Sequence, residues 1–116
     1  MRIYFSLQFQ KDLKKLAKKY RSILLDVENL LVKLTENPTL GTALGKDCYK
    51  IRLAVSSKRK GKRGGTRVIS YAKIVQDHLV LLTIYDKSEK SDITDKELQA
   101  LLDATESNQE QESEKN

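Results

Sequence analysis

Histidine and cysteine occur once each in this chain of 116 residues, as His78 and Cys48. A lone thiol cannot close an intramolecular disulfide, so folding does not require an oxidising compartment. One His and one Cys cannot supply the ligand cluster of a zinc site. They read instead as a surface residue at the start of a strand and a small packing residue beside Tyr49. Long apolar runs are missing too. Nothing approaches the length of a membrane span, and no signal-peptide stretch opens the chain, so a cytoplasmic protein without a membrane partner is expected. The Gly-Lys-Arg-Gly-Gly run at 61–65 lacks the spacing and the following helix of a phosphate-cradling P-loop. Carboxylates are scattered over helices and turns with no convergent pair for acid–base work. Metal, thiol and nucleotide-cradle chemistry are therefore excluded, and no cofactor is called for.

Positive charge is what the chain has, concentrated in one stretch. Residues 46–67 hold nine Lys or Arg against one acid, Asp47, a local +8 where the whole chain carries +6. In Tyr49-Lys50-Ile51-Arg52-Leu53-Ala54-Val55 the bases alternate with apolar residues, as a half-buried strand requires. Side chains two apart share a face, so Lys50 and Arg52 project from one side while Ile51, Leu53 and Val55 enter a core. Cations held on a rigid sheet face beside a basic loop suit a phosphate backbone.

The length allows one domain with a single small core. Arg2-Ile3-Tyr4-Phe5 reads as a first strand. Phe9, Leu13, Leu16, Ala17 and Tyr20 then recur at helical spacing, with lysines opposite. A second helix from about Ser22 carries Ile23, Val27, Leu30, Leu31 and Leu34 as its stripe, and Asn37-Pro38 stops it. The short join predicts an antiparallel helical hairpin. Residues 39–47 read as a connection, and strands follow over 49–55, 67–75 and 78–85, with a mobile hairpin loop over 56–66. Thr94-Asp-Lys-Glu97 is a capping box, with Ile93 placed to staple onto Leu98. The expected fold is therefore α+β, β-α-α-β-β-β-α, with the helical hairpin packed on a small, mostly antiparallel twisted sheet whose second face stays partly open. The domain covers 1–104. The tail, 105–116, has no apolar residue and is expected to remain a disordered, solvated acidic extension.

Bases plus a tyrosine near that open face remain as candidates for chemistry: Lys50 and Arg52 on one strand, Arg67 starting the next, Tyr85 and Lys87 at the end of the last, and Lys90 just beyond. Such a set can cleave RNA without a metal. The 2′-hydroxyl attacks its own phosphate, cations neutralise the phosphorane, and a proton carrier serves the leaving oxygen. For Tyr or Lys to carry that proton its pKa must fall, which packed cations favour.

Three separated motifs carry a resemblance: Asp47-Cys48-Tyr49-Lys50-Ile51-Arg52-Leu53, the run from Gly61 through Arg67 to Ile69, and Leu81 to Ile93 with Tyr85, Lys87 and Lys90 inside it. With the helical hairpin ending in Asn37-Pro38, they make residues 2–102 similar to the RelE/ParE superfamily of bacterial toxin–antitoxin toxins, in its RelE/HigB-like branch. The resemblance implies a fold like the microbial ribonucleases. It also implies cleavage of translated mRNA in the ribosomal A site and silencing by a co-transcribed antitoxin. Lys50, Arg52 and Arg67 match basic active-site positions, and Lys87 and Lys90 match basic positions after the last strand. Ser88 stands where the RelE pattern has an arginine and Thr94 where it has a tyrosine, so Tyr85 and Lys87 would supply those functions. The enlarged loop bearing Lys58, Arg59, Lys60, Lys62 and Arg63 would grip ribosomal RNA or mRNA. The alternative within the same superfamily is a ParE-like toxin that binds and inhibits DNA gyrase, which has no need for phosphate-directed cations on that face.

Overall fold

The computed structural model describes residues 1–57, 65–107 and 111–112. Its elements are β1 (Arg2–Phe5), α1 (Leu7–Lys19), α2 (Ile23–Glu36), β2 (Thr42–Gly45), β3 (Cys48–Leu53), β4 (Thr66–Lys73), β5 (His78–Asp86), α3 (Asp95–Ser107) and β6 (Gln111–Glu112), with a 3-10 turn at Ile74–Gln76. The sheet order is β2-β3-β4-β5-β1-β6. Only β1 and β5 run parallel; the other neighbours are antiparallel. The expected α+β succession is present, with two strands added at its edges.

Both additions have a physical reason. Residues 42–45 form a hairpin with β3 instead of a plain connection, because Lys46 and Asp47 both adopt positive φ, 57° and 62°. Two consecutive left-handed residues are what a tight two-residue hairpin needs, yet Lys-Asp is a weak signal for it. Gly41 then lies so close to β3 that a Cβ would stand 2.5 Å from the Lys50 carbonyl oxygen. At the other edge, α3 runs to Ser107, and Gln111 and Glu112 pair with Phe5 and Tyr4. Residues 111–112 of the 105–116 tail thus add backbone to the sheet through groups that need no apolar side chain, while 108–110 and 113–116 lie outside the described residues.

Two cores lie on opposite sides of this sheet. Under the helical hairpin, Phe9, Leu16, Ile23, Leu30 and Leu34 pack on Ile51, Val68, Leu79 and Leu81. Ser6 starts α1 by accepting from the Phe9 N–H at 3.0 Å while donating to the Leu82 carbonyl at 3.0 Å, which fixes the helix to β5. On the far side Cys48, Ile69, Val80 and Leu82 meet Leu98 and Leu102 of α3, with Ile93 beside them. Burial pushes the Cys48 thiol up to about 11, consistent with a packing role. The capping box is formed. Thr94 N–H donates to Glu97 Oε1 at 2.9 Å, and Glu97 N–H donates to Thr94 Oγ1 at 3.1 Å.

The top of β5 is tied down by a buried carboxylate. Asp86, 2% exposed, accepts from Lys19 Nζ at 2.8 Å, Tyr20 OH at 2.6 Å, Ser88 N–H at 2.9 Å and Ser88 Oγ at 2.7 Å. Burial alone would raise its pKa. The bonds from Lys19, Tyr20 and Ser88 outweigh burial and hold the carboxyl well below the usual carboxylate range.

Candidate functional site

Register builds the site. Arg52 of β3 pairs with Arg67 of β4, and Arg67 pairs with Tyr85 of β5, so the three side chains form one row across three strands on the α3 side of the sheet. Adjacent strands lie about 4.8 Å apart, so the row spans roughly 10 Å. Lys50, two residues before Arg52, continues the same face. Lys90 arrives from the turn after β5, with Nζ 5.4 Å from the centre of the Tyr85 ring. Five of the six expected catalytic residues are thereby brought together. The sixth, Lys87, sits one residue past β5 with its side chain exposed; its N–H donates to the Gly65 carbonyl at 3.1 Å, which puts it at the same end of the sheet.

The two arginines differ in kind. Arg67 is buried and donates from Nη1 to the Thr66 carbonyl at 3.1 Å, so its guanidinium is held in place. Arg52 is exposed. One can position and the other can meet a phosphate from solvent.

Tyr85 departs from expectation. Its hydroxyl is buried and has no hydrogen-bond partner among the described residues. Burial raises its pKa, the Asp92 carboxylate raises it further, and the Arg67 guanidinium only partly offsets them. Desolvation defeats the packed cations, so Tyr85 is a neutral phenol near pH 7. It is equipped to donate a proton, not to accept one.

Two acidic residues at the site escaped sequence reasoning, which treated the carboxylates as scattered. Asp92 holds Lys50 at 3.1 Å, and Glu97 holds Lys90 at 2.5 Å while its other oxygen closes the capping box. The Ile93 N–H and then Lys50 keep the Asp92 carboxyl low, and Lys90 and then the Thr94 N–H do the same for Glu97. The capping-box pattern placed Glu97 at a helix start. No spacing signal placed it against Lys90.

Next to the row opens a cleft of about 440 Å³. Gln8 and Asp12 of α1 line it with Thr83 and Tyr85 of β5. Opposite stand Ala100, Leu101 and Ala104 of α3, with Lys90 and Glu97 at its edge.

The loop bases Lys58, Arg59, Lys60, Lys62 and Arg63 lie outside the described residues. Their anchors do not. Buried Asp26 accepts from the Ser56 N–H at 3.0 Å and from the Ser56 hydroxyl, and the Ser57 N–H donates to Ser22 Oγ at 2.8 Å. At the far root Thr66 Oγ1 donates to the Leu53 carbonyl at 3.0 Å. Both roots therefore sit at the same end of the sheet as the row. His78 is at the opposite end of β5, edge-on to Tyr4 with ring centres 5.0 Å apart. Among the described residues no group of three or more His, Cys, Asp or Glu is arranged to hold a metal ion, and no described helix is long and apolar enough to cross a membrane.

A small α+β domain that carries cations and one phenol in a row across three strands presents a surface whose charge suits a polyanion. A family model described as the RelE toxin of the RelE / RelB toxin-antitoxin system matches residues 1–115. The chain belongs to the RelE toxin family.

Proposed function

We propose that this toxin is a ribosome-dependent endoribonuclease that cuts translated mRNA in the A site, stops translation, and is held silent by a cognate antitoxin of the RelB kind encoded beside it. The carrying observation is the Arg52–Arg67–Tyr85 row, with Lys50 and Lys90 against it.

The chemistry follows from that row without a metal. The 2′-hydroxyl gives its proton to water as its oxygen bonds to phosphorus, the bond to the 5′-oxygen breaks, and the products are a 2′,3′-cyclic phosphate and a 5′-hydroxyl. Charge grows on the non-bridging oxygens, where Arg52, Arg67 and Lys50 oppose it. The phenol of Tyr85 gives its proton to the departing 5′-oxygen, a step that needs no lowered pKa. Lys87 and Lys90 hold the flanking phosphates. Lys58, Arg59, Lys60, Lys62 and Arg63 grip RNA backbone, adding affinity that falls with salt.

Primer extension on mRNA translated in vitro with the purified protein, with and without ribosomes, tests this. Cuts within translated codons are expected, only with ribosomes present. Arg52→Ala is expected to lower cleavage about 10²- to 10³-fold with unchanged thermal stability, because Arg52 is exposed. Intact mRNA and unimpaired translation, with inhibition of gyrase supercoiling instead, would overturn the reading.

A further inference from the structure

The cleft beside the row has a wall that the cleavage chemistry does not use. Asp12 is the only acid of α1, among Lys11, Lys14, Lys15, Lys18 and Lys19. A carboxylate beside a site for a polyanion repels the phosphates it should attract. Yet Asp12 is built in. Thr83 Oγ1 donates to its Oδ2 at 2.6 Å and Gln8 Nε2 donates to its Oδ1 at 2.9 Å. Each oxygen has accepted one hydrogen bond and retains capacity for another. Two parallel acceptor sites therefore remain on a fixed carboxylate lining a cleft of about 440 Å³, within the range of roughly 300–1,000 Å³ typical of small-ligand sites.

The surroundings suit a planar ring. Tyr85 lines the same cleft, its hydroxyl buried beside it, and Ala100, Leu101 and Ala104 keep the α3 wall apolar and low. Unstacked RNA bases are recognised by aromatic and apolar contact on their faces and by hydrogen bonds on their edges. Guanine is the RNA base whose Watson–Crick edge offers two adjacent N–H donors, at N1 and N2. Because Tyr85 and Lys90 border both cleft and row, a base seated here belongs to a nucleotide at or next to the scissile phosphate.

We infer that this cleft is a base-specificity pocket in which Asp12, held by Thr83 and Gln8, reads the donor edge of a guanine next to the cut. The inference rests on the RNA-cleaving reading above and names which part of the substrate selects the cutting site.

Two readouts on the full-length protein test it. The first maps cleavage positions in translated mRNA. Guanine should be enriched at one fixed position relative to the cut. Asp12→Asn, which can still accept from Thr83 but presents one acceptor fewer, should reduce that preference by roughly tenfold to a hundredfold. Ala104→Leu, on an exposed α3 position, should fill the cleft and do the same while leaving Asp12 in place. The second readout is binding of guanosine 3′-monophosphate against uridine 3′-monophosphate, followed by NMR shifts. Guanosine should bind at least about tenfold tighter, and only when Asp12 is present. Arg52-dependent cleavage with no guanine preference, or a preference unchanged in both variants, would overturn the pocket and leave the cleavage reading standing. Selective, Asp12-dependent guanosine binding without any cleavage would support the pocket and remove the cleavage reading.

Discussion

Tyr85 and Asp86 are neighbours on β5, and they face opposite sides of the sheet. Asp86 points under the helical hairpin, is 2% exposed, and takes four hydrogen bonds from Lys19, Tyr20 and Ser88. Tyr85 points towards α3, where its hydroxyl is buried with no partner among the described residues. Buried polar groups cost free energy unless bonded, so Asp86 is satisfied and Tyr85 is not; Ser70, opposite Tyr49 on the hairpin side, carries the other buried hydroxyl without a partner among the described residues. The hairpin side also holds the larger apolar core. Stability is concentrated on one face. The other keeps a half-satisfied polar row and two ion pairs that solvent can reach. Departures from local optimisation of this sort are expected where a protein acts on something else.

The sharpest test of that contrast separates the two currencies at one atom. Tyr85→Phe deletes a hydroxyl that makes no bond in the free protein, so stability should hold or rise, by up to about 1 kcal/mol. Cleavage should fall by roughly 10²- to 10⁴-fold, the usual loss when a general acid is removed. Thermal melts and single-turnover cleavage read the two effects independently. A destabilised variant would mean that the phenol is bonded in solution, and a fully active one would remove Tyr85 from the chemistry.

Breaking the satisfied Asp86 cluster should do the reverse. Asp86→Asn keeps the size of the side chain but loses the charge that Lys19, Tyr20 and Ser88 converge upon. The loss should be about 2 kcal/mol near pH 7, moderated because the Lys19 side chain is 45% exposed and screened by water. The Asp86 pKa is depressed in the folded state, so its contribution is complete above the unfolded carboxyl value of about 3.9 and declines as pH falls further. Denaturant melts of both proteins from pH 7 to pH 2 should therefore draw closer together below about pH 4, without yet coinciding. Parallel curves would mean that Asp86 is not the low-titrating group.

Much of this contrast was legible before any coordinates. The 3.6-residue stripes of α1 and α2, the alternation in β3 and the capping box of α3 each rest on local chemistry, and each appears where periodicity and spacing put it. The site was legible only as a set of strands. That Arg52, Arg67 and Tyr85 share a row depends on register, which is a long-range quantity. A shift in the β4–β5 pairing between Ile69 and Ser70 is likewise invisible to a two-residue period. β2 went unread because its turn uses Lys46 and Asp47 in left-handed conformations, where Asn-Gly would have announced it. The carboxylates were hardest. Asp12 meets Thr83 across 71 residues and Asp92 meets Lys50 across 42, and no spacing rule spans such distances.

Glu97 marks the border between the two faces, and altering it should have the smallest effect. Its two oxygens serve different purposes, one closing the capping box and the other holding Lys90. Glu97→Gln keeps an oxygen for the Thr94 N–H, and glutamine is an accepted partner in that motif. What disappears is the charge on a pair whose side chains are 35% and 43% exposed, so less than about 0.5 kcal/mol of stability should be lost. Removing a negative charge beside the row should tighten RNA binding, by roughly twofold at low salt, with the gain fading as the screening length shortens. Electrophoretic mobility shift at two salt concentrations would detect it. Weaker binding would mean that Glu97 positions Lys90 for the phosphate instead of competing with it, and the ion pair would then belong to the working side of the sheet.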